Sequence, residues 1–453
     1  MGAICGFSGE RDEKLLAAMV RALSHRGDDP PDVHSCSWGT VSCSWGTVAY
    51  FPCGGTVQRK ELGIGLHIQG DDLIAVSGNL TDEDVVQKGL LGLLATIRDE
   101  GVRSLERVSG DFVAVVHLAS TPAAGSTWHV IRDGPGARTI YHAHHGGRCF
   151  FASEPKGIWS VLGFPRRVRA ASIAQYLAFS FVPGEDMMLE GLYELPAGHS
   201  LTKYGNSPVT LRRYFCFEQH EHDADSRHDQ STSDSSDLWD SPLRHCLSEG
   251  IRQRPPRDES PAVFLSGGLD SSVVTAELAR QSQRPVHSYA LHFGKKYPNE
   301  LEFARAVADC CGTRHYEVEI RPRQFLPRLR RMVWHLDDPI GDPITMPNME
   351  LARHVSQDHR WVFNGEGGDP CFGGPKNIPM MLGHFWFQGE LRRYARSILS
   401  PRAVRRAAVF DPAVVKNLLA CNLETRNGRY GLRLWMLLTF EIWRRIVVAG
   451  ETI

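Results

Sequence analysis

The stretch Val263-Phe264-Leu265-Ser266-Gly267-Gly268-Leu269-Asp270-Ser271-Ser272 constrains this chain more than any other. A short apolar run enters two glycines and leaves as a helical pattern over 271–282, so a strand must turn sharply into a helix. The alternation continues on both sides. A helix is expected over 242–252, a strand at PAVFL (261–265), a strand at VHSYALHF (286–293), a helix over 299–311 and a strand at HYEVEI (315–320). Strand–helix alternation of this kind predicts a doubly wound, parallel α/β sheet.

The same turn predicts chemistry. Two glycines let the backbone approach a ligand closely, and the following helix offers unpaired N–H groups at its positive dipole end. Ser266, Ser271 and Ser272 add hydroxyls, so the turn reads as a cradle for an oxyanion such as pyrophosphate. It lacks the G-x-x-x-x-G-K-[ST] pattern, which excludes a kinase-like phosphate loop. Asp270 puts a carboxylate where Mg²⁺ would sit. A second strand-to-glycine turn follows at Trp361-Val362-Phe363-Asn364-Gly365-Glu366-Gly367-Gly368-Asp369. If the two strands are parallel neighbours, Asp270 and Asp369 can share Mg²⁺ and Glu366 can act as a general base.

The remainder divides by composition. Residues 1–217 alternate short apolar runs, among them LIAV (73–76), DFVAVVHL (111–118), WHVI (128–131) and CFFA (149–152), with turns. Helices are expected over 13–26 and 85–101. A sheet sandwich covered by helices fits this density of strands. Residues 218–240 are polar and rich in Ser, Asp and His, which reads as a flexible linker. Residues 241–453 form the α/β domain. SCSWGTV occurs twice in tandem at 35–41 and 42–48, as a duplication lengthening a hairpin or loop.

The 453 residues are 42% hydrophobic, enough for sizeable cores, and the formal net charge of −1 offers no attraction for nucleic acid or an anionic membrane. The 11 cysteines show no zinc spacing and are expected to be reduced thiols of a cytoplasmic protein. No secretory signal opens the chain. LRLWMLLTFEIW, interrupted by Arg433 and Glu441, is too short and charged to span a bilayer and reads as a buried helix.

These residues resemble the asparagine synthetase family. SGGLDSS (266–272) is similar to its ATP-pyrophosphatase signature, and NGEGGDPCFGG (364–374) to its second motif, with Pro370 and Cys371 departing from it. The resemblance extends to NELEFARAVADCCGTRHYEVEI (299–320), DDPIGDP (337–343), HRGDD (25–29), SGDFVAVVH (109–117), RDGPGARTIYH (132–142), SEPKGI (153–158) and ELPAGHSL (194–201). It implies an α/β architecture: an N-terminal Ntn-hydrolase-like αββα sandwich, then an ATP-pyrophosphatase domain. It also implies ATP and Mg²⁺, with the metal on Asp270 and Asp369. Pyrophosphate would lie on Ser266, Gly267, Gly268, Leu269, Asp270, Ser271 and Ser272. Leu265 and Leu291 would line the adenine pocket, Gly365 would lie beside the nucleotide, and Glu366 would take the amine proton.

Several positions depart from the family. Glutamine-using members carry Cys directly after the initiator Met; here Gly2 stands there, and Cys5 reads as a small core residue. The glutamine pocket looks dismantled: Ser77-Gly78-Asn79 replaces the usual N-G-E, no R-L-S-I follows AYFPCGG, and KGLLGLL falls where a carboxylate is usual. His25 and Arg26 read as structural. This combination resembles β-lactam synthetases and lasso-peptide macrolactam cyclases, which retain the first domain without glutaminase activity, although Glu366 matches asparagine synthetases. The stretch from 383 to 453 is shorter than family members show, without a recognisable late lysine loop, and Lys376 is a candidate substitute. The expected function is therefore adenylation of a peptide or amino-acid carboxylate and its coupling to an amine without glutamine hydrolysis, with partner biosynthetic proteins. Asparagine synthesis and a non-catalytic nucleotide-binding paralogue are the alternatives.

Overall fold

The computed structural model describes residues 2–9, 12–26, 32–35, 47–51, 65–121, 125–205, 207–217, 242–254, 259–295, 297, 299–321, 325–368, 371, 387, 389–424 and 431–453. The expected linker (218–240), Asp369 and Lys376 lie outside these residues. Two compact units emerge: Met1–Gln175 with Val182–Ser231, and Tyr176–Phe181 with Thr232–Ile453.

The strands of the first unit are β1 (Ala3–Phe7), β2 (Asp32–Ser35), β3 (Thr47–Phe51), β4 (Gly65–Gln69), β5 (Asp72–Leu80) and β6 (Gly110–Thr121). They continue as β7 (Gly125–Arg132), β8 (Tyr141–His145), β9 (Arg148–Ala152), β10 (Leu192–Glu194), β11 (His199–Tyr204) and β12 (Thr210–Arg213). They form two antiparallel sheets, in the orders β10-β8-β9-β1-β3-β2 and β12-β11-β7-β6-β5-β4. The period-2 alternation of strands decides both faces of the second sheet. Leu73, Ala75, Val113 and Val115 meet Ile4 and Phe151 between the sheets. Ile74, Val76, Phe112 and Ala114 pack outward on α2 (Glu83–Glu100) through Leu90, Leu93, Leu94 and Ile97. Helix α1 (Glu13–Leu23), capped by the Asp12 carboxylate, buries Leu16, Met19 and Leu23 on the first sheet's side. The result is the expected layering of helix, sheet, sheet and helix.

Two local findings bear on the sequence reading, of which the first differs from it. The helix expected over 85–101 is interrupted at Gly89, which has φ 67°. The tandem SCSWGTV copies begin at the end of β2 and finish in β3, and those strands pair with Ser35 opposite Thr47; residues 36–46 lie outside the described ones.

The second unit holds β13 (Ala262–Phe264), β14 (His287–His292), β15 (Arg314–Glu319) and β16 (Val362–Phe363) in one sheet of order β15-β14-β13-β16, parallel throughout. After α3 (Ala170–Phe179), which ends in this unit, come α4 (Pro242–Arg252), α5 (Leu269–Gln281), α6 (Leu301–Cys311), α7 (Leu326–Leu336) and α8 (Thr345–Val355). Val263 and Val286 pack with Ile251 of α4 and Leu278 of α5, while Leu265 and Ala290 pack with Leu301, Ala304 and Ala308 of α6. Ala262 and Tyr289 face the other way, onto Leu351 and Val355 of α8. Helices therefore cover both faces, as a doubly wound sheet requires.

Four more helices follow: α9 (Gly389–Ile398), α10 (Pro401–Ala407), α11 (Pro412–Glu424) and α12 (Gly431–Trp443). Leu434 to Trp443 of α12 are all buried. The Tyr176 hydroxyl lies 2.9 Å from the Met436 carbonyl and 2.8 Å from the Thr439 hydroxyl, and the Trp443 indole donates to the Asp337 carbonyl at 2.6 Å. The apolar segment expected as a buried helix is α12, and among the described residues no helix is long and apolar enough to cross a membrane.

Candidate active site

The sheet order decides where a ligand can sit. From β13 the chain moves outward through β14 to β15, then returns to the other side of β13 as β16. Ligands of open α/β sheets bind beyond the carboxyl ends of the strands at such a reversal. Both glycine turns leave the sheet there, because Ala262 pairs with Val362 and Val263 with Phe363.

The turns touch. A Cβ on Gly365 would lie 2.7 Å from the Ser271 nitrogen and 3.1 Å from the Asp270 Cβ, and one on Gly368 would overlap the Asp270 carboxylate. Gly267 has φ 89°, and a Cβ there would lie 2.6 Å from the Ala304 nitrogen and from the Phe303 Cβ. Gly365 and Gly267 require glycine, because a side chain there would meet backbone: the first lets the turns meet, and the second lets the first turn pass the start of α6.

Beyond the turns opens a cavity of about 1010 Å³. Leu265, Ser266, Gly268, Leu269, Asp270, Ser271, Leu291, Gly365 and Glu366 all line it. Gly267 and Ser272 do not line it, and Asp369 lies outside the described residues. Leu265 is buried just after β13, and Leu291 lies one residue before the end of β14 on the face turned to α8.

The serine hydroxyls also hold the turn itself together. Ser271 and Ser272 donate to the Gly268 carbonyl at 3.2 and 2.7 Å, and the Ser266 hydroxyl accepts from the Gly268 amide at 3.2 Å. The hydroxyls brace the turn, and no side chain caps α5. The groups left to meet an anion are the first-turn amides of α5. Local competition of Ser side chains for backbone groups is the reason.

Sequence reasoning also missed part of the wall. Ile344, Asn348, Met349, Leu351 and Ala352 enter from the start and inner face of α8, and His292, Asn299 and Glu300 from the β14–α6 connection. Ile344 and Asn348 follow closely on the DDPIGDP segment (337–343), and Asn299 and Glu300 open the segment NELEFARAVADCC. The others carry no local signature; their place depends on how α6 and α8 pack.

The first unit arranges its polar groups differently. Cys5 sits in the middle of β1, paired with Ala49 on one side and Ala152 on the other, and is wholly buried. Burial pushes its thiol up to about 12. A nucleophile carrying its own α-amino base must begin a chain, and Ala3 and Ile4 precede Cys5 in the same paired strand. Ser77-Gly78-Asn79 is likewise strand, opposite Val113, Phe112 and Asp111. His25 and Arg26 converge on Glu154 at 3.0 Å each, and the buried Lys156 joins it at 2.6 Å. Burial alone would raise the Glu154 carboxyl, but the His25 hydrogen bond and the Lys156 and Arg26 charges outweigh it and hold it at about 2. Both His25 and Arg26 are structural partners.

Comparison with known proteins now adds to this geometry. The asparagine synthase family matches residues 242–382, and the glutamine amidotransferase domain matches residues 92–215. Asparagine synthetase [glutamine-hydrolyzing] 1 of Bacillus subtilis is 25% identical over 353 residues, covering 72% of this chain and 53% of the relative. Amidase chry2 of Gibberella zeae is 24% identical over 386 residues, covering 79% and 55%. The chain thus spans about half the length of the curated relatives it matches. Likeness to solved structures is slight: the NH3-dependent NAD synthetase of Campylobacter jejuni gives a TM-score of 0.21 at 13% identity, over 40% of this chain and 93% of that one.

Proposed function

We propose, from the premise that this chain belongs to the asparagine synthetase family, that its second unit is an ATP-dependent, AMP-forming carbon–nitrogen ligase that joins a carboxylate to an amine without hydrolysing glutamine. The observation that carries this reading is the cavity at the strand reversal, where the 266–272 and 364–368 turns meet.

ATP would enter with its adenine between Leu265 and Leu291 and its phosphates on the first-turn amides of α5, where the helix dipole favours negative charge. A substrate carboxylate oxygen attacks the α-phosphorus, the bond to the β-phosphate oxygen breaks, and pyrophosphate leaves. The amine then attacks the acyl carbon and AMP departs. Glu366, on the cavity wall with its amide held by the Asn364 side chain at 3.1 Å, would receive the amine proton. A divalent cation fits the donor set: Asp270 lines the cavity, and the missing side chain of Gly368 leaves its carboxylate room. Mg²⁺ held by Asp270, with Asp369 as its expected second ligand, would neutralise charge on the phosphates.

The placement of Cys5 inside a paired strand supports an amine taken from the substrate or from solution, as in peptide macrolactam or β-lactam closure. A second reading, asparagine synthesis, is favoured by the names of several relatives and by Glu366. Exchange of labelled pyrophosphate into ATP, run with aspartate and with a panel of amino acids and short peptides, separates them. Exchange supported by a peptide or non-aspartate carboxylate, with no glutamate released from glutamine, is expected. Exchange with aspartate alone would replace our reading by the second. ATP binding without exchange on any carboxylate would leave a nucleotide-binding paralogue.

A further inference from the structure

A second cleft of about 530 Å³ opens in the same unit, lined by Glu259, Ser260, His287, Tyr289, Tyr316, Asp358, His359 and Arg360. Its mouth lies toward the opposite end of the sheet from the nucleotide cavity, since His287 begins β14 and 358–360 precede β16, although Tyr289 lines both. Nothing in the proposed ligase reaction uses it.

Its centre is over-subscribed. His359 Nε2 lies 3.1 Å from His287 Nδ1 and 3.0 Å from the Tyr289 hydroxyl. A ring nitrogen carries either one proton or one lone pair, so it cannot serve both neighbours with full hydrogen bonds. The ring positions point the same way. Two imidazoles aimed straight at each other across that gap would hold their centroids about 5.4 Å apart, whereas two sharing one ion at bonds of about 2.05 Å would hold them about 4.8 Å apart. The observed separation is 4.8 Å. That separation is the one two imidazoles sharing an ion would show, with an angle of roughly 100° at such bonds, near the tetrahedral value.

We propose that His287 and His359 bind a first-row divalent metal ion, of the zinc class, with Tyr289 beside the ion and solvent completing its shell through the open cleft. Among the described residues no group of three His, Cys, Asp or Glu side chains gathers around one point, so the site is a two-imidazole one, of modest affinity and open to exchange. Asp358, next to His359, adds negative charge that acts on His287 and Tyr289. Imidazole nitrogen selects zinc, copper or nickel over magnesium, which keeps this site chemically apart from the carboxylate site at Asp270. A bound ion would tie β14 to the turn that follows α8, the helix whose inner face lines the nucleotide cavity.

The test is a zinc titration of untagged full-length protein by calorimetry, in wild type, His287→Ala/His359→Ala, Tyr289→Phe and Asp270→Asn. Wild type and Asp270→Asn should each bind one zinc ion with micromolar affinity that excess magnesium does not displace. The double variant should lose that event, a weakening on the order of ten-fold or more. Tyr289→Phe should bind but shift the visible spectrum of the cobalt-substituted site. Should the double variant not fold, His359→Gln alone, with zinc-dependent Tm as readout, gives the same decision. Equal zinc affinity in wild type and the histidine variants, or no zinc binding by wild type, overturns the proposal.

Discussion

The two units use buried polarity in opposite ways. In the first, charged groups are closed upon one another: Glu154 holds His25, Arg26 and Lys156, and Arg132 is tied to the carbonyls of Arg138, Leu195 and Gly136. Cys5 is locked inside a strand with a raised pKa. In the second, carboxylates and uncapped amides open into a large cavity. A closed network stabilises a fold and leaves nothing for a ligand, whereas an open one costs stability unless a ligand completes it. The contrast supports the proposal that the ligase chemistry belongs to the second unit.

The largest effect should come from Asp270→Asn, which removes the charge beside the phosphates while keeping shape. Pyrophosphate exchange should fall on the order of 100-fold or more; near-normal exchange in this variant would break the assignment of the cavity. Gly365→Ala comes next. Its methyl would press on the Ser271 nitrogen, at an overpacking cost of about 1–3 kcal/mol, and separate the two turns. Exchange should drop roughly ten-fold, with the thermal transition of the first unit unmoved.

Glu154→Gln reverses the pattern. It leaves Lys156 buried without its counter-charge and should destabilise the first unit by about 3 kcal/mol, read by urea unfolding, with exchange activity within two-fold at 25 °C. The same residue sets an acid sensitivity. Its folded pKa is depressed, so its contribution is present above the unfolded carboxyl value of about 4.3 and is lost as pH falls toward about 2. The wild-type unfolding midpoint should decline over that window, and the variant's should decline less. Cys5→Ala should be the mildest, costing about 1 kcal/mol for a small buried void. A glutaminase activity that vanished with this substitution would erase the difference between the units.

Much of the site was legible because its residues are contiguous. A turn between a strand and a helix is a local event, so 266–272 and 364–368 could be placed before any tertiary contact was known. What the sequence did not show is competition within the turn: Ser271 and Ser272 also bond the Gly268 carbonyl. It also missed Gly89, because apolar spacing on either side of a glycine hides a break in φ.

By itself, then, the sequence determined the alternation that makes a parallel sheet, the two glycine turns and the apolar strands of the sandwich, since period and turn chemistry act over a few residues. Only the tertiary structure decided that β16 returns beside β13 and so brings Glu366 and Asp270 to one cavity. It alone set Met349 and Ala352 into the wall and drew His287 and His359, 72 residues apart, to one point. These are consequences of packing helices on both faces of a sheet, and no local pattern of residues encodes them.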